Sequence, residues 1–418
     1  MDLSVLSLLF LIGAIAIGFF LKINTGLVAI GLSLVLGTIG SMSASKIVGG
    51  FPTSLFMTLL GVMFLFSISQ ENGTLELLAK KTVSLAGKRT NLIPIIVFIF
   101  STILAAVGPG TIPVMSLMAV FTCALAAEMG VSPLLLSATS VLGAAAGGIS
   151  PIAPTGILGI SLAAEQGITG IDTGYFINSL IAQTVYFIVI YFVLGGYKMK
   201  SDIVLNIKDT PAFNKNQKIT LVGIAGLVIG VLIFNLNVGL LAFTIGLALL
   251  LLKVASEKKV IAGIPWSTLI LITGVNVLMS IVIGLGGIDL LAAGLASIMT
   301  PKTAPSLLGL SAGIMSWFSS TSGVVMPTLI PTVSGLLENV GGNVSALALV
   351  SAITNTAHVA GTSPISTGGS LGLASYVQTS KASDEEQRQL FVKQFLVAIG
   401  GVIVVALVAG TGVYTLFE

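Results

Sequence analysis

Gly147-Gly148-Ile149-Ser150-Pro151-Ile152-Ala153-Pro154-Thr155-Gly156 sits inside residues 129–164, 36 consecutive positions without Asp, Glu, Lys or Arg. As one helix at ~1.5 Å per residue, that run would reach ~54 Å, well beyond a hydrocarbon core ~30 Å thick. Its prolines lack an N–H and its paired glycines favour turns, so the helix is expected to unwind here. Lipid cannot satisfy the freed N–H and C=O groups, so unwound backbone at membrane depth must be buried in protein or line a polar cavity. The stretch also recurs. Moved by 213 residues, Gly148-Ile149-Ser150-Pro151-Ile152 falls on Gly361-Thr362-Ser363-Pro364-Ile365, and Gly156, Leu158 and Gly159 fall on Gly369, Leu371 and Gly372.

The same offset holds further out. Gly61–Ala79 against Gly274–Ala292 gives 9 identities in 19, and Asn24, Gly26, Leu27 and Ala29 fall on Asn237, Gly239, Leu240 and Ala242. Leucine on leucine means little in apolar helices. Matched Gly, Pro, Ser and Asn at one fixed spacing indicate internal duplication, with a first repeat at 1–198, a linker at 199–218 and a second repeat at 219–418. Another uncharged run, residues 90–127, is broken at Gly108-Pro109-Gly110-Thr111, and its region in the second half holds Ser319-Ser320-Thr321-Ser322-Gly323.

Only 8% of the 418 residues are charged, against ~25% in an average soluble domain, and 55% are hydrophobic. The mean hydropathy is +1.10. These values exclude a water-soluble globule and point to an all-α polytopic membrane protein. The single cysteine, Cys123, excludes a disulfide framework and a cysteine-based metal cluster, and no basic surface for nucleic acid is visible. Expected single spans are Leu3–Leu21, Gly26–Gly40, Phe51–Ser69, Gly174–Tyr197, Ile219–Phe234, Val238–Leu252, Pro265–Gly284 and Phe395–Phe417. Asp2, rather than a basic segment, precedes the first, which reads as a retained helix.

Sidedness follows the basic residues. With both termini outside, 16 of the 18 Lys and Arg face the cytoplasm and only Lys46 and Lys302 do not. The cytoplasmic set is Lys22, Lys80, Lys81, Lys88, Arg89, Lys198, Lys200, Lys208, Lys215, Lys218, Lys253, Lys258, Lys259, Lys381, Arg388 and Lys393, which makes the linker cytoplasmic. Three full spans, one returning segment and two more crossings give five crossings per half. The repeats are then inverted relative to each other. Charge alone leaves open which broken segment is the re-entrant one.

Inverted repeats with broken helices at matching positions point to a secondary transporter. No Lys or Arg lies within an expected span. An anion would therefore be held by hydroxyls, free backbone N–H groups and half-helix N-termini at the breaks around Thr111, Ser150, Ser322 and Ser363. Carbonyl and hydroxyl oxygens at the same breaks suit a coupling cation. A proton relay usually shows intramembrane carboxylates or histidines, and only His358, beside Asn355, qualifies. No nucleophile and base form a recognisable pair, so an enzyme is not expected, and no cofactor beyond coupling ions.

The order of span, hairpin with a Gly/Ser/Thr tip, and unwound Ser/Thr-Pro helix, written twice, resembles the ion transporter superfamily that includes the divalent anion/sodium symporters. Size and texture are most similar to its MatC-type malonate/dicarboxylate carriers. The resemblance implies a re-entrant hairpin around Gly108–Thr111, a second around Ser319–Gly323, and unwound crossing helices at Ser150 and Ser363. It implies sodium ligands at Gly108, Gly110, Gly148 and Ser150 in one half, and at Ser319, Gly323, Gly361 and Ser363 in the other. Substrate contacts are expected at Thr111, Ser150, Pro151, Thr155, Ser320, Thr321, Ser322, Asn355, His358, Thr362, Ser363 and Pro364. It implies a sodium-coupled carrier of a malonate-, malate- or succinate-type anion in the inner membrane, working as a homodimer by an elevator motion. A proton-coupled carrier using His358, or a channel, is the alternative.

Overall fold

Start signals recur 213 residues apart and each sets a helix. Asn24 and Asn237 cap helices through their side chains, Pro52 and Pro265 stand just ahead of helices, and Gly73 and Gly286 take a left-handed turn before helices. A computed structural model describes residues 2–201, 210–380 and 383–418; Lys208 and Lys381, expected on the cytoplasmic side, lie outside the described residues. The first half holds α1 (Leu3–Leu21), α2 (Thr25–Ile39), α3 (Ala44–Gly49), α4 (Thr53–Glu71), α5 (Thr74–Val83), α6 (Ile93–Ala106), α7 (Thr111–Met129), α8 (Pro133–Gly147), α9 (Pro154–Glu165) and α10 (Asp172–Val193). The second holds α11 (Lys215–Leu232), α12 (Val238–Leu251), α13 (Glu257–Gly263), α14 (Trp266–Gly284), α15 (Gly287–Ala296), α16 (Ala304–Trp317), α17 (Met326–Leu329), α18 (Val333–Val340), α19 (Ala346–Ala360), α20 (Thr367–Ser380) and α21 (Asp384–Gly410). Among the described residues there is no strand.

The bounds of α4, α5 and α8 return at the 213-residue offset in α14, α15 and α19. Among the described residues six helices are long and apolar enough to cross a membrane: α1, α4, α7, α10, α14 and α21. α5 and α15, ten residues each, are too short to cross at ~1.5 Å per residue. The last helix begins well before the expected Phe395. Its polar first turns are held by a capping box between Ser383 and Glu386 and an exposed Arg388–Glu385 ion pair, so charge kept them out of the apolar span without keeping them out of the helix.

The halves interlock through one contact made twice. α2 packs on α14, and its counterpart α12 packs on α4. In the first copy Gly26 rests against the backbone of Ile270 and Leu271, and Gly274 against Gly26. In the second Gly239 rests against Met57 and Thr58, and Gly61 against Gly239. Every residue of one pair lies 213 positions from its partner in the other. Close backbone approach of this kind needs small residues, and it replaces the hydrophobic drive that helices lack in lipid. α4 and α14 run side by side in opposite directions: Ser67 meets Gly263 just ahead of α14, and Ser280 meets Gly50 just ahead of α4.

A side chain at Gly26 or Gly239 would enter backbone on the facing helix. Gly26→Leu and Gly239→Leu should each destabilise by about 1–3 kcal/mol or more, and by similar amounts, whereas Gly31→Leu, with open space around it, should be near neutral. Thermal unfolding of the purified protein in detergent checks this; unequal losses at 26 and 239 would contradict the equivalence of the two contacts.

Candidate substrate and ion site

The two unwound segments carry the same hydrogen bonds. Gly156 N donates to Gly148 O, and Gly369 N to Gly361 O, both at 2.9 Å. Ser150 N donates to Gly147 O at 3.0 Å, as Ser363 N does to Ala360 O at 2.9 Å. Ala153 N reaches Ser150 O at 2.9 Å, as Ser366 N reaches Ser363 O at 3.0 Å. Each break is thus a closed loop that spends one lone pair of each of these carbonyls and leaves the other. Ser150 Oγ and Ser363 Oγ turn inward to accept from Ile152 N and Ile365 N, 3.5 and 3.3 Å away. Pro151 and Pro364 sit between these partners, where no N–H is required.

The tip between α6 and α7 turns on Gly108 (φ 142°) and Gly110 (φ 78°), backbone that side chains other than glycine rarely adopt. It sets Thr111 as the first residue of α7, and Thr111 Oγ1 lies 3.2 Å from Thr155 Oγ1 in the first turn of α9. Gly148 faces the Thr111 hydroxyl, so the tip docks on the unwound segment of its own half. In the second half the tip is held differently. Ser316 Oγ and Thr321 Oγ1 both donate to Ala357 O, at 2.8 and 3.0 Å, and Ser320 Oγ accepts from Gly323 N at 3.1 Å. The arm beyond is broken: a wide turn at Thr321–Val325, α17, a tight turn at Ile330–Thr332 and then α18, with Pro327 and Pro331 interrupting the ladder.

Both tips meet in one cavity. It is small, about 10 Å³, and is lined by Met63, Pro109, Thr111, Ile112, Pro113, Pro154, Thr155, Thr268, Ile272 and Ser322. Thr111, Thr155 and Thr268 belong to the first turns of α7, α9 and α14, so three helix N-termini converge on it together with Ser322 of the other tip. Each N-terminus carries about half a positive charge, while Gly156 N and Thr268 N are already spent on Gly148 O and Pro265 O, at 2.9 and 3.0 Å. No Asp, Glu, Lys or Arg lines the cavity. Two clefts flank it. One, about 150 Å³, runs past Gln70, Ser116 and Pro265; the other, about 520 Å³, runs from Lys22 to Ser319 and Ser320. The opposite end of α4 is closed by an apolar layer that includes Leu55, Leu59, Leu158, Leu162, Val333 and Leu336.

Of the expected substrate residues, the cavity thus gathers Thr111, Thr155 and Ser322. Ser320 lines the larger cleft with Ser319. The Thr321 hydroxyl is spent on Ala357 O and that of Thr362 on Val359 O, while Ser363 Oγ also reaches Trp317 O at 3.5 Å. Asn355 and His358 lie elsewhere, fully buried in a polar network between α10, α19 and the C-terminal turn. There Gln183 Nε2 donates to Asn355 O (3.1 Å), Asn178 Nδ2 to Ser351 Oγ (3.0 Å) and Tyr414 O (2.9 Å), and Tyr175 OH pairs with Thr354 Oγ1 (2.7 Å). His358 Nδ1 faces Thr354 O at 2.8 Å, and a carbonyl only accepts, so Nδ1 is assigned the proton. The signal for this network was present in Asn178 and Gln183 within the otherwise apolar Gly174–Tyr197 span. Met63, Thr268 and Ile272 carried no such signal; only packing brings them to the cavity.

Residues 1–148 match the family model of the dicarboxylate carrier protein MatC N-terminus. The resemblance to MatC-type carriers read from the repeats therefore has a match over that part of the chain. No curated protein matches the sequence. The crystal structure of the Alcanivorax borkumensis YdaH transporter is similar in fold, with a TM-score of 0.62 at 14% sequence identity, over 99% of this chain and 98% of that one. The likeness to that structure shows the fold of the whole chain, and the MatC match covers its first 148 residues.

Two glycines of the first break should separate folding from site geometry. A methyl at Gly156 meets the carbonyls of Ile149 and Ser150, which cannot move without opening the loop; Gly156→Ala should lower the thermal midpoint, by about 1–3 kcal/mol in stability. At Gly148 the methyl meets mainly the Thr111 hydroxyl, which can rotate away. Gly148→Ala should fold yet lose about tenfold in transport, the size of one lost charge-assisted hydrogen bond. Equal loss of fold in both variants would contradict this division.

Proposed function

We propose that the protein is a sodium-coupled carrier of a small di- or tricarboxylate, of malonate, malate or succinate type. The observation that carries this reading is the convergence of three helix N-termini and the Ser322 hydroxyl on one cavity without a charged side chain. An anion placed there receives N–H and O–H donors from every side. The MatC match over residues 1–148 supports a dicarboxylate. Sodium would sit between each tip and its unwound segment, using the second lone pairs of Gly148, Ser150, Gly361 and Ser363 carbonyls with oxygens at Gly108, Gly110, Ser319 and Gly323. Proton coupling through His358 is disfavoured because the imidazole does not line the cavity.

In this reading each inverted repeat crosses the inner membrane five times, and both termini lie outside. The clefts open at the end that carries Lys22, Gln70 and Pro265, which is the cytoplasmic end if the linker is cytoplasmic, so the conformation is inward-open. Tips and unwound helices would move as one body against α1, α2, α11 and α12, each subunit of a homodimer supplying its own scaffold.

Uptake of malonate or succinate into proteoliposomes should rise with sodium at constant pH, and Thr111→Val should raise KM about tenfold. Uptake indifferent to replacing sodium by choline, yet driven by a proton gradient, would reject the coupling. For the motion, the informative pair is Phe19 of α1 and Phe318 at the second tip, whose ring centroids stand 6.0 Å apart. Cysteines at 19 and 318 in a Cys123→Ser background, bridged by a short cross-linker, should arrest transport, and cleaving the bridge should restore it. A bridged carrier that turns over at the unbridged rate would exclude sliding.

A further inference from the structure

We infer that Lys22 draws the substrate's carboxylate toward the second hairpin tip, and so sets affinity on one face of the membrane. This rests on the organic-anion reading above. Lys22 shares the larger cleft with Ser319 and Ser320, and it is the one Lys, Arg, Asp or Glu among the residues lining that cleft or the two cavities beside it. No carboxylate lies within ion-pair distance of it among the described residues, and its side chain is exposed. The ammonium is therefore available to an anion arriving from water.

The backbone shows that conformation does not explain the lysine. Lys22 ends α1 in the left-handed region, at φ 55°, and its counterpart 213 residues on, Asn235, has φ 51°. Both repeats need the same turn. Asparagine adopts it readily and lysine does not, so position 22 gives up the better turn residue. The helix dipole favours a cation at the end of α1 and of α11 alike, so it does not account for the difference. Sidedness asks only for a positive charge somewhere in this loop. Placement against the cleft is specific. Asn24 pins the loop by donating to Ser267 O at 2.8 Å and to Ser267 Oγ at 3.0 Å, on the first turn of α14 whose Thr268 lines the tip cavity. Ser319 Oγ donates to Met315 O at 2.7 Å, whereas Ser320 Oγ only accepts, from Gly323 N; a carboxylate met by Lys22 can therefore exchange water for the Ser320 hydroxyl first, rather than shedding its hydration at once. Attraction of this type acts over a Debye length and falls with salt.

The test is sided transport of malonate and succinate by the full-length protein in vesicles of known orientation, with sodium constant and ionic strength raised with choline chloride. Lys22→Asn keeps the turn and removes the charge. It should raise KM by about fivefold at low ionic strength on the Lys22 face, leave Vmax unchanged, and leave KM on the other face unchanged. Lys22→Arg should behave as wild type, and the gap between Lys22→Asn and wild type should close as salt rises. Equal KM for Lys22→Asn and wild type, a fall in Vmax alone, a defect in Lys22→Arg as large as in Lys22→Asn, or a gap indifferent to salt would each overturn the inference while leaving the carrier reading standing. Wild-type vesicles that take up neither acid would overturn that reading, and this inference with it.

Discussion

A backbone N–H or C=O stripped of its helical partner inside a bilayer has no water to turn to, and the rest of this structure depends on how that constraint is met. The Ser-Pro breaks at 150–151 and 363–364 each free several such groups. Each break closes on itself through a Gly-to-Gly hydrogen bond across the loop, 156 to 148 and 369 to 361. What remains open is turned inward: the first turns of α7 and α9, which meet at Thr111 and Thr155. The groups that lipid could not tolerate are those that an anion would need. Polar cavity and unwound helix are in this sense one solution to one problem.

Placing such a site at depth requires a frame that holds it without a hydrophobic drive. The doubled glycine contact supplies it, with Gly26 on α14 and Gly239 on α4. Because each half lends a helix to the other, neither α4 nor α14 is packed by its own repeat alone. The cavity lies beside this frame, lined by Met63 of α4 and by Thr268 and Ile272 of α14. Tight packing of small residues gives stiffness to the walls, while the tips, held through hydroxyls and single hydrogen bonds, are the more easily displaced parts.

The legible part of this architecture was written in residues that act locally. Gly108, Pro109 and Gly110 fix a turn by their own dihedral preferences, and Ser150-Pro151 and Ser363-Pro364 interrupt a ladder wherever they are placed. The 213-residue repetition of Asn24, Pro52 and Gly73 could be read for the same reason. Met63, Thr268 and Ile272 reach the cavity only because α4 and α14 cross there, and nothing in their neighbours along the chain announces it. Asn355 and His358, near in sequence to the break at Gly361, do not line the tip cavity: the carbonyl of Asn355 accepts from Gln183 of α10, and His358 Nδ1 faces Thr354 O of its own helix.

Duplication accounts for the likeness of the halves but not for their difference. The first tip opens into an unbroken α7, whereas the second leads through a wide turn and two prolines before α18 begins. The straight arm fixes Thr111 by a continuous ladder. Ser322 stands in the wide turn of the broken arm, and the hydroxyls of Ser316 in α16 and of Thr321 converge on a single carbonyl of α19. The cleft that carries Lys22 of the first half also reaches the second tip, at Ser319 and Ser320, so residues of both halves border that tip.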